Sequence, residues 1–315
     1  MTTSIAFLFP GQGSQAVGMG KELAEKYPVA RQTFEEADAA LGMSLSRLCF
    51  DGPEEELRRT EITQPSILAV SVATWRVLAE QGLKAAWVAG HSLGEYSAHV
   101  AAGTLNFADA VRTVRNRGRY MQEAVPVGAG AMAAILGMEA EKVRGICGQA
   151  AQGEVCQAAN MNSPEQVVIS GHRGAVERAV ALATEQGAKK AVLLPVSAPF
   201  HCSLMRPAQE RLAQDLSLLQ MQNSNTPVMC NVDAALVNTP ESSCDALVRQ
   251  VTGTVRWDEC VRGLIAKGAE TFVEVGPGKV LWGLMRQIDR SKNSWQTSDD
   301  AALQKTLQGL AQPTA

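Results

Sequence analysis

Residues 84–94, Lys84-Ala85-Ala86-Trp87-Val88-Ala89-Gly90-His91-Ser92-Leu93-Gly94, decide how this chain is read. Lys84 to Ala89 reads as a buried strand, and it enters a G-x-S-x-G turn from which the pattern passes straight into a helix. Strand, Gly-bracketed serine and helix in that order give the context of a nucleophile elbow. The glycines permit a tight turn that leaves the hydroxyl exposed, and a helix N-terminus favours negative charge developing beside it. The plainer alternative is an ordinary turn with a serine N-cap.

Outward from this stretch, short apolar runs alternate with helical patterns, which predicts an α/β fold with a mainly parallel sheet. Ser4 to Phe9 is expected as the first strand, followed by the turn Pro10-Gly11-Gln12-Gly13-Ser14-Gln15, with a long helix from Ile62 to Gln81. The middle third reads differently: strand 131–137, helix 139–151, strands 155–160 and 166–170, helix 175–186 and strand 191–196. That β-α-β-β-α-β order is ferredoxin-like and predicts a subdomain at 126–197 inserted into a discontinuous core of 1–125 and 198–290. The core is expected to resume with helices over 203–221, 242–251 and 257–267, strands at 228–232 and 271–275, and a last helix ending near Asp289. Residues 291–315 read as a polar linker and a short C-terminal helix whose last residues, 312–315, fray.

A chain of 315 residues with 46% hydrophobic and 19% charged side chains has ample material for a large core, which excludes intrinsic disorder. Lys+Arg 29 against Asp+Glu 32 lacks the basic excess of a nucleic-acid binder. Seven cysteines without a CxxC pair suggest reduced thiols in a cytoplasmic protein. The N-terminus lacks a basic region ahead of its short apolar stretch, and no apolar run approaches the ~18 residues of a membrane span.

A serine hydroxyl needs a base, and the chain holds four histidines. His91 adjoins Ser92 on a strand, where neighbouring side chains diverge. His99 lies on the order of 10 Å along the following helix. His172 falls in the insert, which leaves His201 in Pro199-Phe200-His201-Cys202. In the helix read over Asn106 to Met121, Arg112, Arg115 and Arg119 lie away from the apolar stripe, whereas Arg117 falls at its edge. A buried guanidinium needs an anionic partner, and either a protein or a substrate carboxylate would serve. Gly11-Gln12-Gly13 lacks the longer phosphate-loop and dinucleotide signatures, and fits better as a source of a backbone N–H beside the nucleophile. No cluster has metal-ligand spacing, so no metal is expected.

Phe9-Pro10-Gly11-Gln12-Gly13-Ser14-Gln15, Gly90-His91-Ser92-Leu93-Gly94-Glu95-Tyr96, Arg117, Phe200-His201 and Val275-Gly276-Pro277-Gly278 together resemble the malonyl-CoA:acyl carrier protein transacylases, over about residues 4–290. The resemblance implies a hydrolase-like α/β core carrying a ferredoxin-like insert. It implies Ser92 as the acyl-carrying nucleophile, His201 as its base and the N–H groups of Gln12 and Leu93 as the oxyanion hole. Arg117 would bind the malonyl carboxylate, and a main-chain carbonyl at Gln250 would orient His201. Asn160 and Asn162 match a polar segment lining the cleft, and Phe200 resembles the residue of malonyl-selective relatives. The implied substrates are malonyl-CoA and the phosphopantetheine thiol of acyl carrier protein, with no permanently bound cofactor and a monomeric enzyme. Acidic carrier proteins call for a basic patch, for which Lys189, Lys190, Arg286 and Arg290 are candidates. Fatty-acid synthesis is the expected pathway, with polyketide synthesis and malonate decarboxylation as alternatives. A serine thioesterase or esterase shares the elbow motif, and a carrier-docking module with a dead site is the non-enzymatic alternative.

Overall fold

The computed structural model describes residues 4–196 and 198–311. The expected end of the insert at residue 197 and the fraying of 312–315 lie outside the described residues.

The first strand shows why the core forms. In β1 (Ile5–Phe9) every residue is buried. Ile5, Phe7 and Phe9 join one apolar cluster, while Ala6 and Leu8 join another on the opposite face. A strand packed on both sides needs a continuous apolar run, and a parallel sheet covered by helices on both faces supplies that setting. β2 (Trp87–Gly90) lies parallel to β1, with Phe9 opposite Gly90. The other strands are β3 (Gly130–Leu136), β4 (Cys156–Ser163), β5 (Gln166–His172), β6 (Lys190–Leu193), β7 (Val228–Cys230), β8 (Ala235–Val237), β9 (Thr271–Glu274) and β10 (Asn293–Gln296). They form a six-stranded sheet in the order β10-β9-β1-β2-β7-β8 and a four-stranded sheet in the order β4-β5-β3-β6. The large sheet is parallel except for β8, and the small one is antiparallel throughout.

Helices Ala140–Ala151 and Arg173–Glu185 alternate with the strands of the small sheet in the expected β-α-β-β-α-β order. Their apolar stripes, including Val143, Ile146, Ala175, Val176 and Ala179, close a separate core against β3 and β5. The two sheets are joined by more than chain connections. Asn160 of β4 forms a parallel bridge with Val255; Met161 N–H donates to Val255 O at 2.9 Å and Val255 N–H to Ala159 O at 2.8 Å. Thr254 Oγ1 adds a bond to Ala158 O at 2.7 Å, and Ser163 Oγ one to Gln287 Oε1 at 2.9 Å.

Three expectations need correction. The polar stretch read as a linker from 291 contains β10, which pairs in parallel with β9 and forms an edge of the large sheet. Its sequence, Asn-Ser-Trp-Gln, lacks apolar alternation because an edge strand needs little of it, and Trp295 is the residue that packs against the main core. The strand expected to reach residue 232 stops at Cys230 and turns back as β8, a hairpin with Ala234 at φ 51°. The helix expected over 203–221 is a single 3₁₀ turn, Ser203–Met205, and then Arg206–Ser217, because Pro207 suits the first turn of a helix but not its interior. Among the described residues no helix is long and apolar enough to cross a membrane, and all seven cysteines are free.

Candidate active site

The chain leaves β2 through Gly90 and His91, reverses at Ser92 and enters the helix Gly94–Ala101. Ser92 has φ 51°, a left-handed conformation that L-residues adopt at a cost and that active sites retain. Both flanking glycines are required for contact reasons. A Cβ on Gly90 would lie 1.9 Å from the carbonyl carbon of Gly94, and one on Gly94 would lie 2.0 Å from Phe9 O. Asn231 holds the turn from below: its Oδ1 accepts from Ser92 N–H and its Nδ2 donates to Gly90 O, both at 2.7 Å.

The serine opens into a cavity of about 570 Å³ at the carboxyl ends of β1 and β2, where open α/β sheets bind ligands. The core supplies Gln12, Ser92, Leu93, Arg117, Phe200 and His201, while Asn160 and Asn162 of β4 face them from the small sheet.

His201 is the histidine that reaches the serine. Its Nε2 lies 2.7 Å from Ser92 Oγ and its Nδ1 lies 2.9 Å from Gln250 O. A carbonyl can only accept, so Nδ1 carries the proton and Nε2 is left as the acceptor for the serine hydroxyl. Burial first, and then the charge of Arg117, push the His201 pKa from 6.5 down to about 3. The imidazole is therefore neutral, and competent as a base, at every pH above that range. The acid limb of the kcat/KM profile is expected well below pH 6.5. A limb at 6.5 in rapid assays, before acid unfolding intervenes, would show that His201 is solvated in the working enzyme.

Arg117 lies on the helix Phe107–Glu123, which Asn106 caps by accepting from the N–H groups of Ala108 and Asp109. It is 1% exposed. Its Nη1 donates to Gln64 Oε1 at 2.8 Å, and its Nη2 donates to Gln250 Oε1 at 2.9 Å and to Ser92 Oγ at 3.1 Å. Among the described residues no carboxylate forms a salt bridge with it, its Nε has no hydrogen-bond partner, and its guanidinium carbon lies 5.6 Å from the Tyr96 ring centre. A buried cation held only by neutral acceptors, beside a nucleophile, is an incomplete anion site.

The remaining histidines fall outside this pair. His172 Nδ1 accepts from Val155 N–H at 2.9 Å, and His99 is fully buried with neither ring nitrogen hydrogen-bonded to a described residue. His91 lines the cavity after all: its Nε2 lies 2.8 Å from Asn162 Oδ1. The strand-alternation rule does not exclude it, because Ser92 is not extended. Sequence reasoning also passed over Gln64, Glu95 and Asn231, each a polar residue inside an apolar helical or strand pattern, which is the signal that could have found them.

Gln12 and Leu93 both border the cavity. The loop carrying Gln12 can approach the elbow because residue 11 is glycine, where a Cβ would stand 2.4 Å from His91 O. Asn160 Oδ1 is buried without a hydrogen-bond partner among the described residues. The four basic candidates sit outside the cavity. Lys189 pairs with Glu165 at 2.7 Å, Lys190 begins β6, the Arg286 guanidinium lies 4.9 Å from the Trp282 ring centre, and Arg290 Nε donates to Arg286 O at 3.3 Å.

A hydroxyl held by a neutral imidazole on a strained elbow can take up an acyl group and pass it on, which is the chemistry of acyl transfer. Residues 6–309 match the acyl transferase domain, and the chain belongs to that family of acyltransferases. Within the family it is similar to malonyl CoA-acyl carrier protein transacylases. It is 50% identical over 306 residues to that of Salmonella typhimurium, covering 97% of this chain and 99% of the relative. It is 47% identical over 309 residues to that of Bacillus subtilis, covering 98% of each. An acyl carrier protein S-malonyltransferase from Vibrio cholerae superposes with a TM-score of 0.95 at 50% identity, covering 96% of this chain and 100% of that one. A malonyl-transacylase solved in complex with a type II PKS acyl-carrier protein superposes with a TM-score of 0.95 at 45% identity, covering 98% and 100%.

Proposed function

We propose that the chain moves a malonyl group from malonyl-CoA to the phosphopantetheine thiol of acyl carrier protein through a malonyl-Ser92 ester, in the cytoplasm and for fatty-acid synthesis. The observation that carries this reading is Arg117, a buried cation 3.1 Å from the nucleophile and without a carboxylate partner among the described residues. An acyl chain ending in a carboxylate supplies the missing anion, and one ending in a methyl group does not. The names of the similar proteins support the same substrates.

In the first half-reaction His201 Nε2 takes the Ser92 proton as Oγ attacks the thioester carbon. The N–H groups of Gln12 and Leu93 receive the developing oxyanion, and coenzyme A leaves as a thiol with the proton that His201 returns. In the second half-reaction the carrier's thiol gives its proton to His201 and attacks the ester, regenerating Ser92. Asn160, Asn162 and Phe200 border the acyl chain, and Gln250 O keeps His201 in the working tautomer. Lys190, Arg286 and Arg290, with Lys189 once released from Glu165, offer cations to an acidic carrier. The β6 segment runs on to Leu194 at the cavity, and the Arg286 helix contributes Leu284 to it.

Two features would favour a serine esterase instead: an acidic side chain orienting His201 and an internal carboxylate on Arg117. His201 bonds a main-chain carbonyl, and Arg117 bonds amide oxygens and a hydroxyl. A polyketide carrier would use the same chemistry, and competition between carriers separates the pathways.

The test is to incubate the chain with malonyl-CoA, remove the nucleotide and add holo acyl carrier protein. Label is expected first on the chain and then on the carrier, and failure of either step refutes the proposal. His201→Ala is expected to slow transfer by at least ~10²-fold, the usual cost of losing a general base. A rate near that of the wild type would remove His201 from the mechanism.

A further inference from the structure

Glu95 is fully buried on the helix Gly94–Ala101, three residues beyond the nucleophile. Its Oε2 accepts from Asn231 N–H at 2.9 Å and from Gln250 Nε2 at 2.8 Å, while Oε1 has no hydrogen-bond partner among the described residues. Burying a carboxylate is costly, and burial raises the Glu95 pKa from 4.5 to about 7 despite both hydrogen bonds and the nearby Arg117 charge. So expensive a group beside the reacting atoms calls for a task there.

Gln250 shows what that task is. Its Nε2 is surrounded by acceptors: Glu95 Oε2, Ser92 O at 3.0 Å and Asn231 Oδ1 at 3.5 Å. Its Oε1 faces a donor, Arg117 Nη2 at 2.9 Å, and its main-chain O accepts from His201 Nδ1. One residue thus touches the base, the nucleophile's backbone and the anion-binding arginine, and it does so in only one orientation of its amide. A reversed amide would put N–H groups against Arg117 and an oxygen against Glu95.

We propose that Glu95 is the positioning residue of the site: its carboxylate fixes the Gln250 amide so that an acceptor is presented to Arg117, and it balances the Arg117 charge from the far side of Gln250. Ionised, as it is above about pH 7, Glu95 only accepts and enforces that orientation, whereas a glutamine in its place can donate as well as accept and lets the amide turn. Because Gln250 separates the two charges, Glu95 offsets the Arg117 charge only in part and without a direct ion pair, and the unpartnered Nε–H of Arg117 is not taken up by a protein carboxylate among the described residues. A direct ion pair would occupy the fork.

The inference rests on the reading of Arg117 as the residue that holds the acyl carboxylate, so the experiment begins with the wild-type ratio of kcat/KM for malonyl-CoA to that for acetyl-CoA. Glu95→Gln is then measured alone and in a Gln250→Ala background, which keeps the main-chain carbonyl on His201. Glu95→Gln is expected to lower malonyl kcat/KM by ~10-fold or more and to leave acetyl kcat/KM within about threefold. In the Gln250→Ala background the same change is expected to cost less than about threefold, because residues acting through one another are not additive. Glu95→Asp, which keeps the charge and withdraws it by one methylene, is expected to show the same malonyl-selective loss and serves if the glutamine variant folds poorly. A malonyl preference that survives in both variants, an equal fall for both substrates, or independent effects in the cycle would overturn the role of Glu95 alone. No malonyl preference in the wild type would overturn the reading of Arg117 and this inference with it.

Discussion

Ser92→Ala is expected to abolish the covalent malonyl adduct seen by intact-protein mass spectrometry and to lower transfer by ~10⁴-fold or more, the scale on which a covalent nucleophile is lost. The fold should tolerate the change. Alanine is smaller than serine, the φ of 51° is already borne by a residue with a Cβ, and the backbone bonds from Asn231 are unaffected. Arg117 loses one of its three described acceptors and keeps the two glutamine oxygens. The variant should therefore still bind malonyl-CoA, and the measurement separates chemistry from binding. An adduct that persists in Ser92→Ala would place the acyl group on another residue.

Arg117→Ala is expected to act on one substrate and spare another. Removing the guanidinium deletes charge-assisted hydrogen bonds to the malonyl carboxylate worth roughly 1.5–3 kcal/mol, about 10- to 150-fold in kcat/KM. Acetyl-CoA, with no carboxylate to lose, should be little affected or relatively improved. Arg117→Lys is expected to be damaging too, since an ammonium cannot hold Gln64, Gln250 and a carboxylate with one planar fork. The decisive quantity is the malonyl-to-acetyl ratio in wild type and variant. If both substrates fell by the same factor, Arg117 would be supporting the fold and not reading the acyl group.

The parts of this site written in local patterns were legible from the sequence. The elbow shows itself because a strand, two glycines and a helix are contiguous, and Arg117 because it falls at the edge of an apolar stripe. His201 emerges from elimination among four histidines, and the small sheet from a change of rhythm between residues 126 and 197. What escaped is nonlocal. Asn231 reaches Ser92 across 139 positions and Glu95 reaches Gln250 across 155, and neither pairing leaves a periodic trace. β10 escaped for a different reason. Its stability comes from backbone pairing with β9 and from one tryptophan, so its three polar residues carry no strand pattern of their own. The break at Pro207 was present in the sequence and was overrun by the apolar periodicity on either side of it.

The bonds between β4 and the segment at Val255 bear on motion. An inserted unit held only by its two chain crossings could swing about them, and the cleft would then open and shut with each turnover. Here three main-chain and side-chain bonds at 2.7–2.9 Å bind 158–161 to 254–255, and Ser163 is tied to the helix that carries Arg286. A hinge there would have to break several of these at once, so the β4 wall of the cleft is tied to the core. In the proposed reaction the moving part then belongs to the partner. The long arm of the carrier then has to thread past a wall that the core itself holds in place.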